Sequence, residues 1–316
     1  MNAYIHGPED LITSHEQTRA GFIEAALEKN KKAQPYIEAA KTLKAMASTV
    51  SNPMELLNIR DMRPGLLAAS GLSDKSLKYF TEEDKIIAIK ELIEQFLVPA
   101  GEHFADELVY RYLLIKGDSL GGSMRNYVGT VAKIKVTRKI LSVLHTMDIP
   151  YSILMKEQKA QNRWRPMLYA WDYDNAEDVA AISWKYDNTP KVVFFDTTIP
   201  TVSKNIDICL YKGTERDYDG GNIISDDRRA LMFGELKGGI DPAGADEHWK
   251  TGNTALERIR NSFSRYNIKT SFVGAAIEKS MANEIWRQLT NGTMDNAANL
   301  TVDTQFTNYC EWIVKL

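Results

Sequence analysis

The segments NIDICLYK, at residues 205–212, and ALMFGELK, at residues 230–237, decide the fold. Both are rich in aliphatic, aromatic and β-branched residues, which predicts two strands, and residues 213–229 between them have the Gly and Asp of a loop. Each strand nevertheless carries an acidic residue inside its apolar run, Asp207 and Glu235. A buried carboxylate is costly unless it is paired or binds a metal. We therefore expect two neighbouring strands that carry a functional site.

The residues around these two strands continue the α/β pattern. Apolar and β-branched runs predict further strands at 181–187, 191–199 and 270–277. Apolar residues at helical spacing predict helices over about 253–265 and 280–290. This part of the sequence therefore predicts a mixed α/β domain.

The N-terminal part of the chain predicts helices. In 16–47 apolar residues recur at three- and four-residue intervals, among the Ala, Glu and Lys that favour helices. Pro35 is expected at a junction between helices. Thr81, followed by acidic residues, predicts the N-cap of another helix. We therefore expect a helical region at 1–115 and the α/β domain at 116–316.

The composition indicates a globular protein. The chain has 316 residues, of which 44% are apolar and 26% are charged. No apolar run is long enough to cross a membrane, and the first residues lack the pattern of a secretory signal. Two cysteines, Cys209 and Cys310, do not make a disulfide framework, which favours a reducing compartment. We expect a cytoplasmic protein.

One segment is strongly basic, although the formal net charge of the chain is −3. Residues 116–139 carry six Lys and Arg side chains against one acidic residue, Asp118. Two interpretations stay open at this point, a helix with a solvated basic face and a surface that contacts phosphates.

The start of the basic segment, GDSLGGSMRN at 117–126, predicts a glycine-rich loop before a helix. It lacks the ending of a P-loop. Its backbone N–H groups, with Arg125 and Asn126, suit contact with phosphate. We favour this interpretation over the alternative, a simple turn between helices.

Asp207, Glu235 and Lys237 predict a catalytic site. Residues i and i+2 of a strand share a face, so Glu235 and Lys237 project together, and Asp207 joins them if the strands are neighbours. Carboxylates favour a hard divalent cation, which suits hydrolysis of a phosphodiester, and the carbonyl of Leu236 is a candidate further ligand. The alternatives are a surface ion pair for Glu235 and Lys237 and a turn or edge residue for Asp207, because so short a motif often matches by chance.

His248 lies eleven residues beyond Lys237, in a segment, 239–252, that predicts a loop. A lone histidine is more often a surface or packed residue than a catalytic one. Its ordinary pKa near neutrality suits a general base, but the residues alone do not decide between these interpretations. A zinc site is disfavoured, because no Cys/His pair has the spacing of zinc ligands.

Longer segments resemble one family. GELKGGIDPAGADEHWKT at 234–251 is similar to the active-site segment of the AvaI/BsoBI type II restriction endonucleases, and YRYLLIKGDSLGGSMRN, ALERIRNSF and FVGAAIE extend the likeness over nearly the whole chain. The resemblance implies a PD-(D/E)XK core, a mixed sheet flanked by helices, with an N-terminal helical region. It implies a bacterial homodimer that encloses double-stranded DNA, requires Mg²⁺ and cuts CYCGRG to leave 5′ overhangs.

The resemblance also implies roles for residues of this chain. Asp207, Glu235 and Lys237 take the catalytic positions, although Ile206 stands where the motif often has proline. Three further positions match a proposed general base, His248, and two base-reading side chains, Lys204 and Asp241; Lys75 in GLSDK is a weaker match of the second kind. A carboxylate can accept from cytosine N4 and a lysine can donate to guanine.

Three rival functions stay open on the sequence. Another nuclease of this fold would cut branched or damaged DNA and ignore CYCGRG. A DNA-binding protein without activity would bind without metal and tolerate loss of Glu235. A metal-dependent enzyme of small molecules would have no affinity for DNA.

Overall fold

The computed structural model describes residues 1–73, 75–219 and 223–316, apart from the side chains of Arg125 and Asn126. Contacts divide the chain into two compact units. The sheet unit contains residues 1–22 and 127–316, and the helical unit contains residues 23–126. The predicted domain boundary between residues 115 and 116 stays a prediction.

The helical unit contains most of α1 (His15–Ala47), α2 (Arg63–Ala69), α3 (Glu82–Leu92) and the first half of α4 (Phe104–Thr146). Its core is formed by aliphatic side chains from these helices and the short turns between them, among them Leu43, Leu56, Met62, Leu66, Leu92, Ile93 and Leu108. The predicted N-terminal helical region is confirmed.

Two local predictions in the helical unit have opposite outcomes. Thr81 caps α3 as expected, with its side chain accepting from the Asp84 N–H and Asp84 accepting from the Thr81 N–H. The junction expected at Pro35 is wrong, because α1 continues through it. Pro35 and Lys31, whose carbonyl loses its helical partner to the proline ring, are both exposed, so water can replace the missing donor.

The glycine-rich loop expected at 117–126 is also wrong, since this segment lies inside α4. The backbone N–H groups there belong to a helix interior and are not free for phosphate. Each glycine costs a helix about 1 kcal/mol relative to alanine, and buried residues on both sides, Tyr112 and Leu120 before and Val136 after, offset that cost. The predicted phosphate contacts of Arg125 and Asn126 involve side chains outside the described residues.

The sheet unit is built on eight strands, in the order β2-β1-β3-β4-β5-β6-β7-β8. The strands are β1 (Tyr151–Met155), β2 (Arg165–Pro166), β3 (Val179–Tyr186), β4 (Thr189–Ile199), β5 (Lys204–Lys212), β6 (Ala230–Lys237), β7 (Lys269–Gly274) and β8 (Asn296–Asn299). Pairing is antiparallel from β2 to β6 and parallel from β6 to β8. The sheet is therefore mixed, and the predicted strands are confirmed.

Helices cover both faces of this sheet. The helices are α5 (Tyr169–Asp174), α6 (Glu215–Tyr218), α7 (Ala245–Ser262), α8 (Lys279–Thr290) and α9 (Asp303–Lys315). One core lies between the sheet and α7 and α8, through Trp249, Leu256 and Ile285. The other lies between the sheet, the second half of α4 and α9, through Ile140 and Tyr309. The predicted mixed sheet flanked by helices is confirmed.

The alternation of side chains along β6 shows how the sheet separates these cores. Met232 packs into the core beside α4 and α9, whereas Phe233 packs into the core beside α7 and α8. Glu235 follows Phe233 by two residues, so it projects toward α7. In the described part of the chain, no helix is long and apolar enough to cross a membrane.

Replacing Gly121 and Gly122 tests the helical assignment of 117–126. A Cβ at either position meets no heavy atom within 4 Å, so Gly121→Ala and Gly122→Ala are each expected to raise the free energy of unfolding by about 0.5–1 kcal/mol. Urea denaturation measures the change. Gly292→Ala is the control and is expected to destabilise, because Gly292 has φ +76°. Destabilisation by both α4 substitutions would contradict the helix.

Candidate active site

Asp207 lies in β5, next to the β6 strand that carries Glu235. Ile208 pairs with Gly234, which sets the register of the two strands. One carboxylate oxygen of Asp207, Oδ2, accepts a hydrogen bond from the Leu236 N–H at 2.8 Å. This bond joins the Asp207 carboxylate directly to the strand segment that carries the other two predicted residues.

Glu235 and Lys237 form an ion pair on one face of β6. Lys237 Nζ lies 2.5 Å from Glu235 Oε1, as expected for side chains two residues apart in a strand. Glu235 is only 7% exposed, whereas the Lys237 side chain is 24% exposed. The structure therefore brings Asp207, Glu235 and Lys237 together at one place on the sheet.

The two carboxyl groups occupy an unfavourable electrostatic environment. Burial, with the charge of Asp207, raises the pKa of Glu235 to about 7, although the Lys237 ammonium acts in the opposite direction. Burial also raises the pKa of Asp207, although the hydrogen bond from the Leu236 N–H and the charge of Lys237 lower it. A cation bound between such carboxylates would relieve their repulsion, so the donor set fits a divalent metal.

The ligand set is open rather than a closed cage. Among the residues that the structure describes, no group of three or more His, Cys, Asp or Glu side chains is placed to hold a metal ion. Mg²⁺ is commonly bound through one or two carboxylates, with waters and substrate phosphates completing its shell. The Asp207 and Glu235 pair fits such an open site with two carboxylates.

Helix α7 approaches this site closely through Gly252. A Cβ at Gly252 would lie 3.1 Å from Phe272 Cε2 and 3.3 Å from Glu235 Cγ. Glycine therefore lets the helix pack directly on the side chain of Glu235. Sequence reasoning missed this contact because it treated Gly252 as part of a loop.

His248 lies in the first turn of α7, so its predicted place in a loop is wrong. Gly244 precedes the helix, and Asp246 and Glu247 are the acidic first-turn residues that signal this earlier start. His248 is exposed. Its Nε2 would lie 3.1 Å from a Cβ added at Gly239 and 3.3 Å from a Cβ added at Gly244. The imidazole thus packs against the loop that follows Lys237.

The predicted base-reading residues lie in three different places. Lys204 is exposed at the start of β5. Asp241 is exposed in the loop after β6 and accepts from the Ala243 N–H at 3.0 Å. Lys75 is exposed in the helical unit, directly before the 3₁₀ turn Ser76–Tyr79.

Several cations of the basic segment 116–139 have partners within the protein. Lys133 pairs with Asp196 at 2.7 Å, and Lys139 pairs with Asp303 at 2.6 Å. Arg138 donates to the carbonyl of Tyr173 at 3.0 Å. These three side chains therefore make contacts within the protein, which the interpretation as a solvated basic face did not include.

Comparison with known proteins assigns the chain to a family. The model of the family described as restriction endonuclease BsobI matches residues 1–316. The type II restriction enzyme BsoBI of Geobacillus stearothermophilus is 48% identical over 315 residues, which cover 99% of this chain and 97% of that protein. The type II restriction enzyme AvaI of a Nostoc species is 47% identical, with 99% and 98% covered. The chain therefore belongs to the BsoBI restriction endonuclease family and is a type II restriction enzyme.

Proposed function

We propose that this enzyme cuts double-stranded DNA at CYCGRG in a Mg²⁺-dependent reaction that leaves 5′ overhangs. The observation that carries the proposal is the cluster of Asp207, Glu235 and Lys237 on β5 and β6. It lies in a chain that restriction enzymes match from end to end. The AvaI/BsoBI likeness of the sequence supports this DNA site.

Asp207 and Glu235 would hold the metal ion, with the carbonyl of Leu236 as a further oxygen ligand. A bound divalent ion polarises a phosphoryl oxygen and lowers the pKa of a water. Lys237, held beside Glu235, would orient the attacking water or stabilise charge that develops on the phosphate. The Leu236 N–H fixes one oxygen of Asp207 and so limits rotation of its carboxylate.

His248 would act as the general base that takes a proton from the attacking water. An imidazole nitrogen can accept a proton from a nearby water, which suits this role. The packing of His248 against Gly239 and Gly244 supports a defined position after Lys237 in the fold.

Lys204 and Asp241 would read bases, and Lys75 would add a contact from the helical unit. An Asp carboxylate accepts from cytosine N4, and a lysine donates to guanine O6 and N7. Arg125 and Asn126 would contact phosphates. A near-palindromic DNA site also favours a homodimer with one active site for each strand. The bacterial cytoplasm, where DNA lies, would be its place of action.

Replacing Glu235 tests the catalytic assignment. Wild type is expected to linearise a plasmid with one CYCGRG site in Mg²⁺ and not in EDTA. Glu235→Gln is expected to cut at least ~10³-fold more slowly, because loss of a metal ligand removes several kcal/mol of transition-state stabilisation. Glu247→Gln, an exposed glutamate on α7, is the control and should cut normally.

Other outcomes of the plasmid experiment favour the rivals. Cleavage of branched DNA without preference for CYCGRG indicates a structure-selective nuclease. If both proteins bind the site but neither cuts it, the chain is a DNA-binding protein. If neither protein binds or cuts DNA, the result favours a metal-dependent enzyme of small molecules.

The raised pKa of Glu235 predicts how metal-free stability depends on pH. Below the ordinary pKa of 4.5 the carboxyl is protonated in both states, so it contributes no penalty. Between 4.5 and about 7 the folded protein holds a proton that the unfolded chain has lost, so stability falls as pH rises. Above pH 7 the full penalty, on the order of 3 kcal/mol, is present.

Glu235→Gln removes this penalty. Without metal, the variant is expected to have a higher Tm than wild type at pH 8, and the difference should vanish near pH 4.5. Differential scanning calorimetry in EDTA measures both proteins, with Glu247→Gln again as the control. A Tm difference that does not change with pH would contradict the raised pKa.

Asp241→Asn tests base reading separately from loop structure. Asparagine is as good an N-cap as aspartate, so the bond to the Ala243 N–H and the local fold are expected to remain. Loss of the carboxylate is expected to slow cleavage of CYCGRG by roughly 10- to 100-fold, the equivalent of one base contact. Competition between CYCGRG and sites with one altered base pair measures the change, and unchanged selectivity would argue against this role.

A further inference from the structure

Asp196 on β4 lies opposite Asp207 on β5. Phe195 pairs with Ile208 and Thr197 pairs with Ile206, so the register places the two aspartates across from each other. Asp196 has φ +47°, the left-handed region that a residue other than glycine seldom occupies. The backbone of β4 therefore departs from regular strand geometry at the residue that faces Asp207.

Lys133 reaches Asp196 from α4. Its Nζ lies 2.7 Å from Asp196 Oδ2 and 5.8 Å from the centre of the Phe195 ring. The Lys133 side chain is only 15% exposed, whereas that of Asp196 is 52% exposed. Lys133 is thus a largely covered cation that pairs with a more exposed carboxylate.

Both charges of this ion pair act on Asp207. Residues directly opposite each other on antiparallel strands have Cβ atoms about 4.5–5.5 Å apart, so the Asp196 carboxylate and the ammonium that it holds lie near Asp207. The pair is neutral as a whole, so it leaves the net charge of the site unchanged. Removing either partner alone would add one uncompensated charge beside Asp207.

We propose that Lys133 and Asp196 form a positioning pair that sets how tightly Asp207 binds a divalent cation. Asp196 holds the Lys133 ammonium and prevents it from pairing with Asp207. Lys133 in turn cancels the negative charge of Asp196, which would otherwise strengthen the attraction of the site for a cation. This inference rests on the proposed metal-dependent function.

The pair acts through Asp207 rather than as part of the ligand set. Asp196, Asp207 and Glu235 do not form a three-carboxylate metal cage among the described residues. Partners that orient metal ligands commonly change metal affinity by 10- to 100-fold when removed. The two partners here carry opposite charges, so their removal should move metal affinity in opposite directions.

Binding of Mn²⁺ to the DNA-free protein tests this role. Binding is measured as the loss of the electron paramagnetic resonance signal of free Mn²⁺. Asp196→Asn is expected to weaken Mn²⁺ binding about tenfold, because the released Lys133 competes for Asp207. Lys133→Met is expected to tighten it, because Asp196 then adds negative charge. The double variant should return toward wild-type affinity. Loss of structure alone would weaken binding in both single variants.

Lys139 and Asp303 provide the matched control. They form a similar ion pair at 2.6 Å from the same helix, so Lys139→Met and Asp303→Asn are expected to leave Mn²⁺ affinity unchanged. If wild type cuts DNA but binds Mn²⁺ too weakly to detect, the Mg²⁺ concentration for half-maximal cleavage must show the same opposite shifts.

The outcomes separate this inference from the proposed function. A wild type that neither binds Mn²⁺ nor cuts DNA overturns the function. Suppose instead that wild type binds Mn²⁺ or cuts DNA. If Asp196→Asn and Lys133→Met then change the metal affinity in the same direction, or not at all, the positioning pair alone is overturned.

Discussion

The hydrogen bond from the Leu236 N–H to Asp207 is the contact on which the proposed active site depends. It joins β5 to β6 where their ladder ends and brings the Asp207 carboxylate to the segment of β6 that carries Glu235 and Lys237. Burial of this cluster makes the negative charges unfavourable, which raises the pKa of Glu235 to about 7. The site is therefore poised for a divalent cation, whose charge would offset that penalty.

The rest of the sheet unit supports this arrangement through close backbone approach. Gly252 lets α7 pack on Glu235, and Gly238, which follows Lys237, would place a Cβ 2.6 Å from the Val128 carbonyl oxygen of α4. Helices from both faces of the sheet therefore converge on β6. Bulkier residues at either glycine would displace a helix or β6. The loop after β6 carries Asp241 and packs against His248, so the proposed base-reading residue and the proposed general base share one segment.

Much of this arrangement could be predicted from the sequence because its signals are local. Apolar runs predicted the strands around Asp207 and Glu235, and the two-residue period placed Lys237 beside Glu235. The failures occurred where distant contacts override local preference. Buried residues on both sides keep α4 helical through Gly121 and Gly122, and exposure lets α1 tolerate Pro35. Asp196 was missed because strand register and a left-handed backbone, neither visible in the residue types, bring it to Asp207.

Burial and the charge of Asp207 disfavour the ionised form of the Glu235 carboxyl, and a bound divalent cation would reverse this effect. A carboxyl-carbon NMR titration of Glu235, with and without Mg²⁺, tests it most directly. We expect a pKa near 7 in the metal-free protein, a clear fall on adding Mg²⁺, and little response to Mg²⁺ in Asp207→Asn. A metal-free pKa near the ordinary value of 4.5 that Mg²⁺ does not change would contradict the account.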